Sequence, residues 1–441
     1  MNNTNLDNKI VELKDEMIKG IQGVVRIKSV EEKDGSEFPF GEGVHNSLLY
    51  CLKLSEELGF KTKNVDNMAG YAEYGTGEEL VAVLGHLDVV PEGDGWTYPP
   101  YGGEVHDGKI YGRGTIDNKG PVIAALYALK AVKDLAIPLK RRVRVIFGLN
   151  EESGSNCVKH YVESGEDIPV AGFTPDAEYP IINGEKGIVG CRYVKKLKPE
   201  GQKYIKSISG GIASNVVPDY AKAEIVLNDK YKKEALKLAE HRERIKVNES
   251  AFGVTVEGFG LSAHGSTPEK GINAIAVLFE FLSLLNLDGA SGELVDFINK
   301  YIGRDTRGKN MGIFMNDDIS GDFILNMGVI TGDEHEVCIV LNMRYPVTKK
   351  FDDFADKLKM VMESNGMEEH YLSNTNSLYI PSDTEFIKKL QRVYEEKTGD
   401  KGEPICIGGG TYAKSMKNVV AFGPVFKGDP EVEHKPDEYI S

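Results

Sequence analysis

Several short stretches of this sequence place acidic residues and histidines where chemistry could follow. His86 and Asp88 stand two apart in Gly85-His86-Leu87-Asp88, and residues two apart in an extended chain point to the same side. Asp117 lies in the glycine-rich run GRGTIDNKG, residues 112–120. Glu151 and Glu152 are adjacent in NEESG, Asp176 falls in FTPDAE, and His434 in EVEHKPD. Each has a plainer reading by itself. The His86/Asp88 pair can end a strand by chance, Asp117 can cap the helix after it, and paired glutamates are usually solvated. The glutamates, however, follow directly on an apolar run, where like charges repel unless a cation lies between them. Two imidazoles and four or five carboxylates together suit two divalent ions per chain, zinc foremost, with manganese or cobalt also fitting the donor set. Such a pair of ions activates water and polarises a carbonyl, which is the chemistry of hydrolysis.

The elements around these residues alternate. Residues 80–90, LVAVLGHLDVV, form a continuous valine-rich run, as expected of a strand buried on both faces. Residues 142–149, RVRVIFGL, read as another strand. Helical spacing of apolar residues marks 8–28, 44–58 and 120–135. Strand, helix and strand with short connections predict an α/β domain with a mixed, largely parallel sheet and helices on both faces. In such sheets, sites form at the carboxyl ends of the strands, where His86 and Glu151 fall.

The middle of the chain differs. Alternating strand patterns (IVGCRYVKKL, YAKAEIVLND, VTVEGFG, HEVCIVLNMRYPV) accompany two helices, 273–285 and 351–365. The last 60 or so residues return to α/β character, with a helix at 384–397 and strands at 404–407 and 418–422. The expected organisation is a catalytic domain from 1–183 and 379–441, interrupted by an α+β lid at 184–378. Gly408-Gly409-Gly410-Thr411 lacks the spacing of a phosphate loop. It reads as a set of backbone donors for a substrate carboxylate, with a plain turn as the alternative.

Length and composition fit this division. A chain of 441 residues exceeds what one core usually supports. Its 41% hydrophobic and 27% charged residues describe a folded protein rather than a disordered one. The net charge of −15 argues against nucleic acid or an anionic membrane as partner. Five scattered cysteines do not form a disulfide framework. The N-terminus has acidic residues where a signal peptide would be basic, and the longest apolar stretch is too short to span a bilayer. A cytoplasmic protein is expected.

GHLDVVPEGDGW, YGRGTIDNKGP, NEESGS, FTPDAEYP and EVEHKPDEY, in this order, resemble the co-catalytic zinc metallopeptidases of the aminoacylase and glutamate carboxypeptidase family. The likeness runs over essentially the whole chain and is strongest to the PepV-type branch, the Xaa-His or carnosinase-like dipeptidases. The resemblance implies that Asp117 bridges two metals. It implies that His86 and Asp176 complete one site, and Glu152 and His434 the other. Asp88 would fix the His86 imidazole, Glu151 would be the general base, and the Asp117–Asn118 peptide would be cis.

The same resemblance gives the lid its roles. His264, in LSAHGS, would stabilise the oxyanion. Arg344, in LNMRYP, would hold the substrate's carboxylate with its planar fork, and Asn215, in ASNVVPD, would add a second contact. The long lid resembles that of relatives in which His264 acts on its own chain's site, so a monomer is expected to suffice for catalysis. The implied reaction is hydrolysis of small unblocked dipeptides. The alternatives are deacylation or desuccinylation of N-acyl amino acids, or peptide binding without catalysis.

Overall fold

The structure is a computed structural model and describes residues 3–32, 35 and 37–441. The chain divides into two compact units. The first holds Met1–Asn183, Ile380–Ile405 and Thr411–Ser441; the second holds Gly184–Tyr379 and Cys406–Gly410.

The first unit is built on a twisted mixed sheet. Six of its strands run in the order Lys61–Val65, Ala69–Tyr74, Arg142–Gly148, Leu80–His86, Ala171–Thr174 and Val419–Ala421, and Ile182 pairs beside Ala421. The centre is parallel. Leu80–His86 lies between Arg142–Gly148 and Ala171–Thr174, and Val419–Ala421 runs parallel to the latter. The flanking pairs are antiparallel, so parallel pairing is confined to the middle of the sheet. Helices cover both faces. A side chain at Gly70 would meet Leu48 of the helix Glu42–Glu57, whereas the next residue, Tyr71, meets Tyr161 of the helix Asn156–Glu163 edge-on. Consecutive strand residues face opposite ways, so the two helices lie on opposite sides. The stretch 8–28 divides into the helices Asn3–Glu12 and Lys14–Val25, separated by Leu13.

The valine-rich run leaves the sheet earlier than its hydrophobicity suggests. Pairing stops at His86, opposite Gly148, and Leu87 donates its amide to the Gly148 carbonyl. Both central strands therefore end where the chemical residues begin.

The second unit carries an eight-stranded antiparallel sheet. Buried and exposed residues alternate along strands such as Tyr220–Val226, so one face packs on a core and the other is more open. Four helices belong to this unit rather than the expected two. Asp229–Ala239 and Gly289–Tyr301 add to Ala274–Leu282 and Asp352–Ser364. Asp229–Ala239 fully buries Ala235 alone, which leaves little apolar periodicity to read. Gly289–Tyr301 opens on Gly-Ala-Ser-Gly, a poor helix start by propensity.

Cys406–Gly410 also departs from expectation. It clusters with the second unit, not with the flanking chain. Lys186 donates its amide to the Ile407 carbonyl at 3.0 Å, and Gly408 packs so tightly on Ser266 that an added Cβ would approach its Cβ to 2.9 Å.

Candidate metal centre

The loop from Gly112 to Asn118 is shaped by its glycines. Gly114 has φ +86°, in the left-handed region, and a side chain there would collide with Val89 and Lys119. At Gly120 a Cβ would lie 2.1 Å from the Thr115 carbonyl oxygen. The helix Lys119–Asp134 follows, with Asn118 at its N-cap and no side-chain cap hydrogen bond. Asp117 therefore does not cap this helix. The Asp117–Asn118 peptide is cis. The Asn118 side chain accepts from the His86 amide at 3.3 Å and donates to the Pro175 carbonyl at 2.5 Å. It joins the strand end of His86 to the segment that carries Asp176. In the sequence, the place of Asn118 beside Asp117 in the glycine-rich run gives no sign of this bridging role.

These elements bring the predicted acidic residues and histidines together within the first unit. Nε2 of His86 is 2.9 Å from Oδ1 of Asp117 and 3.4 Å from Oδ1 of Asp176. Nε2 of His434 is 3.1 Å from Oδ2 of Asp117 and 3.2 Å from Oε1 of Glu152. Asp117 thus offers one oxygen to each histidine. His86, Glu151 and Asp176 have ligand atoms within 4.8 Å of one another, as do His86, Asp117 and Glu152. A cavity of about 120 Å³ lined by Asp117, Asp176, Glu178 and Glu433 adjoins them. A larger cleft of about 560 Å³, by Lys61, Glu73 and Leu139, holds none of these groups.

Asp88 plays a broader part than fixing one imidazole. Nδ1 of His86 is 3.0 Å from the Asp88 carbonyl oxygen and 3.4 Å from its carboxylate. The carboxylate instead accepts the amides of Glu151 and Glu152, each at 3.1 Å. Asn150 braces the same turn, accepting from the Asn156 amide with its side chain and from the Ser155 amide with its carbonyl. One buried residue therefore holds His86 through its backbone and the glutamate turn through its side chain.

The electrostatics call for a cation. Burial pushes the Glu151 carboxyl up to about 8, with Asp176, Glu152 and Asp117 adding to the shift against the pull of His86. Burial likewise raises Asp176 to about 6, although His86 opposes it. Burial works against charge on Asp117 too, yet hydrogen bonds from His434 and His86 hold it well below the carboxylate range. Hydrogen bonds to Asp117 and Glu152 lift His434 to about 10. Burial alone would lower His86, but Asp176, Asp117 and Asp88 raise it well above its usual value. Nitrogen and carboxylate donors at this spacing suit borderline divalent ions, so the residues present fit a metal centre.

The predicted lid residues belong to the second unit, where three segments converge. Gly265 donates its amide to the Asn215 carbonyl at 2.6 Å, and Val216 bridges His264. The Asn326 side chain donates to the carbonyls of Ser214 and Val216, on either side of Asn215. Asn215 and His264 are exposed, and the His264 ring meets Ser266 Oγ at 2.6 Å. Packing around that ring and the charge of Arg344 hold the imidazole below its ordinary pKa. Arg344 is buried at 5% exposure, with Nε donating to Asn342 Oδ1 at 2.9 Å. Burial lowers its guanidinium to about 10, a setting in which an anionic partner would be welcome. Gly408 packs on Ser266 within this unit, and Gly409 and Gly410 continue the same loop. Thr411 falls in the first unit and caps the turn Tyr412–Ser415 through its hydroxyl.

Comparison with known proteins agrees with this chemistry. The profile of Peptidase family M20/M25/M40 matches residues 82–441. A Bacillus subtilis (strain 168) protein named "Putative dipeptidase YtjP" is 40% identical over 449 residues, spanning 99% of this chain and 95% of that one. A Staphylococcus epidermidis protein named "Putative dipeptidase" is 35% identical over 446 residues, spanning 98% and 94%. Human carnosine dipeptidase 1 superposes with a TM-score of 0.55 at 19% identity, covering 99% of this chain and 94% of that one. Aminoacylhistidine dipeptidase from Vibrio alginolyticus gives 0.58 at 15% identity, covering 96% and 92%. At those identities the two structures speak for the fold. Among the described residues, no helix is long and apolar enough to cross a membrane.

Proposed function

The chain belongs to Peptidase family M20/M25/M40, and from that premise we propose that it hydrolyses unblocked dipeptides, with Glu151 as general base beside two divalent ions. The observation that carries the reading is Asp117, whose two carboxylate oxygens face two different histidines. His86, Asp117 and Asp176 would hold one ion; Asp117, Glu152 and His434 would hold the other. Zinc fits first, and manganese or cobalt suit the same donors. Bound there, the ions would acidify water and polarise the scissile carbonyl.

The remaining work falls to side chains. Glu151 sits on a turn whose amides are tied to Asp88, so its backbone is fixed, and its carboxylate would take a proton from water and return it to the leaving amine. Burial chiefly raises its pKa and the neighbouring carboxylates add to it, and bound cations would offset the carboxylates' share. His264 would donate to the developing oxyanion. Arg344 and Asn215 would receive the substrate's carboxylate, Arg344 bidentately, with the amides of Gly408, Gly409 and Gly410 and the Thr411 segment as further donors. The length of the second unit, Gly184–Tyr379, supports supply of His264 to its own chain's site, so a monomer would suffice.

A substrate panel tests the reading. Purified metal-loaded protein is expected to cleave unblocked dipeptides faster than tripeptides or N-acyl amino acids. Preferential release of acyl groups from N-acyl amino acids would move the assignment to a deacylase of the same family. Peptide binding without cleavage would remove the catalytic reading.

A further inference from the structure

The loop that presents Asp117 is rich in glycine, and glycine gains flexibility at an entropic cost to order. Something must hold it. The side chain that does so comes from the far end of the chain. Glu438 is buried, at 0% exposure. Its Oε1 accepts the amides of Ile116 at 3.0 Å and Asp117 at 3.3 Å. Its Oε2 accepts from Nη1 of Arg113 at 2.7 Å, and its backbone carbonyl accepts the Gly112 amide at 2.9 Å.

Arg113 is equally enclosed, at 2% exposure. Nη1 also reaches the Lys435 carbonyl at 3.4 Å, next to His434, and Nη2 reaches the Glu92 carbonyl at 3.3 Å. Trp96 stacks 5.2 Å from the guanidinium. The tail around Glu438 is stitched to the same region. Asp437 accepts the Thr97 amide, and Tyr439 pairs with Tyr111 in a short antiparallel ladder.

A buried ion pair seldom stabilises a fold more than an apolar pair of the same shape would, so this one calls for a different account. We propose that Arg113 and Glu438 are positioning residues that set Asp117 and His434 against one another. One carboxylate fixes the backbone entering Asp117, and its guanidinium partner fixes the backbone leaving His434. The inference rests on the reading of these two residues as metal ligands.

The test uses zinc binding to the full-length protein stripped of metal, read by competition with a chromophoric chelator, alongside thermal melting. In Glu438→Gln, an amide N–H2 would face the Arg113 donors. Zinc affinity is expected to fall on the order of tenfold or more, with stoichiometry dropping below two. The control is Glu73→Gln, which breaks another enclosed pair, with Arg144, four residues before the Gly148 end of its strand. It is expected to lower the melting temperature and leave zinc affinity unchanged. Arg113→Lys keeps the charge but not the fork, and is expected to lose several-fold in affinity even if Glu438→Gln does not fold. Wild-type zinc affinity in either folded variant at the Arg113–Glu438 pair overturns the proposal, as does an equal loss in Glu73→Gln. A wild-type protein that binds two zinc ions but cleaves no dipeptide would defeat the proposed function and leave the positioning role to be judged on affinity alone.

Discussion

Asp117 and His434 meet with Oδ2 and Nε2 3.1 Å apart, while the other oxygen of Asp117 faces His86 at 2.9 Å. A single carboxylate thus stands between two imidazoles. Asp117→Asn replaces one of these oxygens with a donor and removes the charge. Both proposed ion sites should weaken, and metal content after dialysis should fall from about two ions to below one. Glu152→Gln should cost the His434 side alone. Equal retention of two ions by both variants would refute the bridging role.

Glu151→Gln keeps the size of the side chain and the backbone amide that Asp88 accepts. The variant should retain its metal and its melting temperature. Turnover should fall by about 10²-fold or more, the range expected when a general base is lost. Near-wild-type turnover would remove Glu151 from the proton transfer.

For the second unit, Arg344→Lys should raise KM for dipeptides with a smaller effect on kcat, because a lysine cannot grip a carboxylate with a fork. His264→Ala should lower kcat on the order of 10²-fold. Mixing His264→Ala with Glu151→Gln chains checks whether one chain suffices. No recovery of activity is expected; recovery would mean that the histidine serves a partner's site.

Asp317 supplies a pH-dependent stability term. Burial alone would raise its pKa, but the amides and hydroxyls of Ser320 and Thr348 prevail and hold it at about 2. An unfolded aspartate titrates near about 3.9. The folded value is the lower one, so the stabilisation is complete above about pH 4 and is lost as pH falls through about 2. Asp317→Asn should therefore melt below wild type at pH 6, with the gap closing as pH drops from about 4 towards about 2. A gap that does not change with pH would assign the effect to lost packing.

Much of the first unit was legible in the sequence because burial on both faces leaves continuous apolar runs, as in Leu80–His86 and Arg142–Gly148. The order of His86, Asp117, Glu151, Glu152, Asp176 and His434 marked the centre, but not the contacts that set it. The hold of Asp88 on the glutamate turn joins two strand ends, and only pairing register brings those together. Glu438 reads as one more acidic residue among 68 Asp and Glu; its meaning lies in an Arg113 that is distant in the chain. The polar helix Asp229–Ala239 escaped because it buries so little. Cys406–Gly410 escaped because chain continuity points to the first unit while packing on Ser266 points to the second.

Metal removal and replacement, assayed on unblocked dipeptides, tests the central claim most directly. Chelator-stripped protein should lose cleavage by about 10²-fold or more and regain it with zinc, manganese or cobalt. Dipeptide hydrolysis at the same rate before and after chelation would contradict the account.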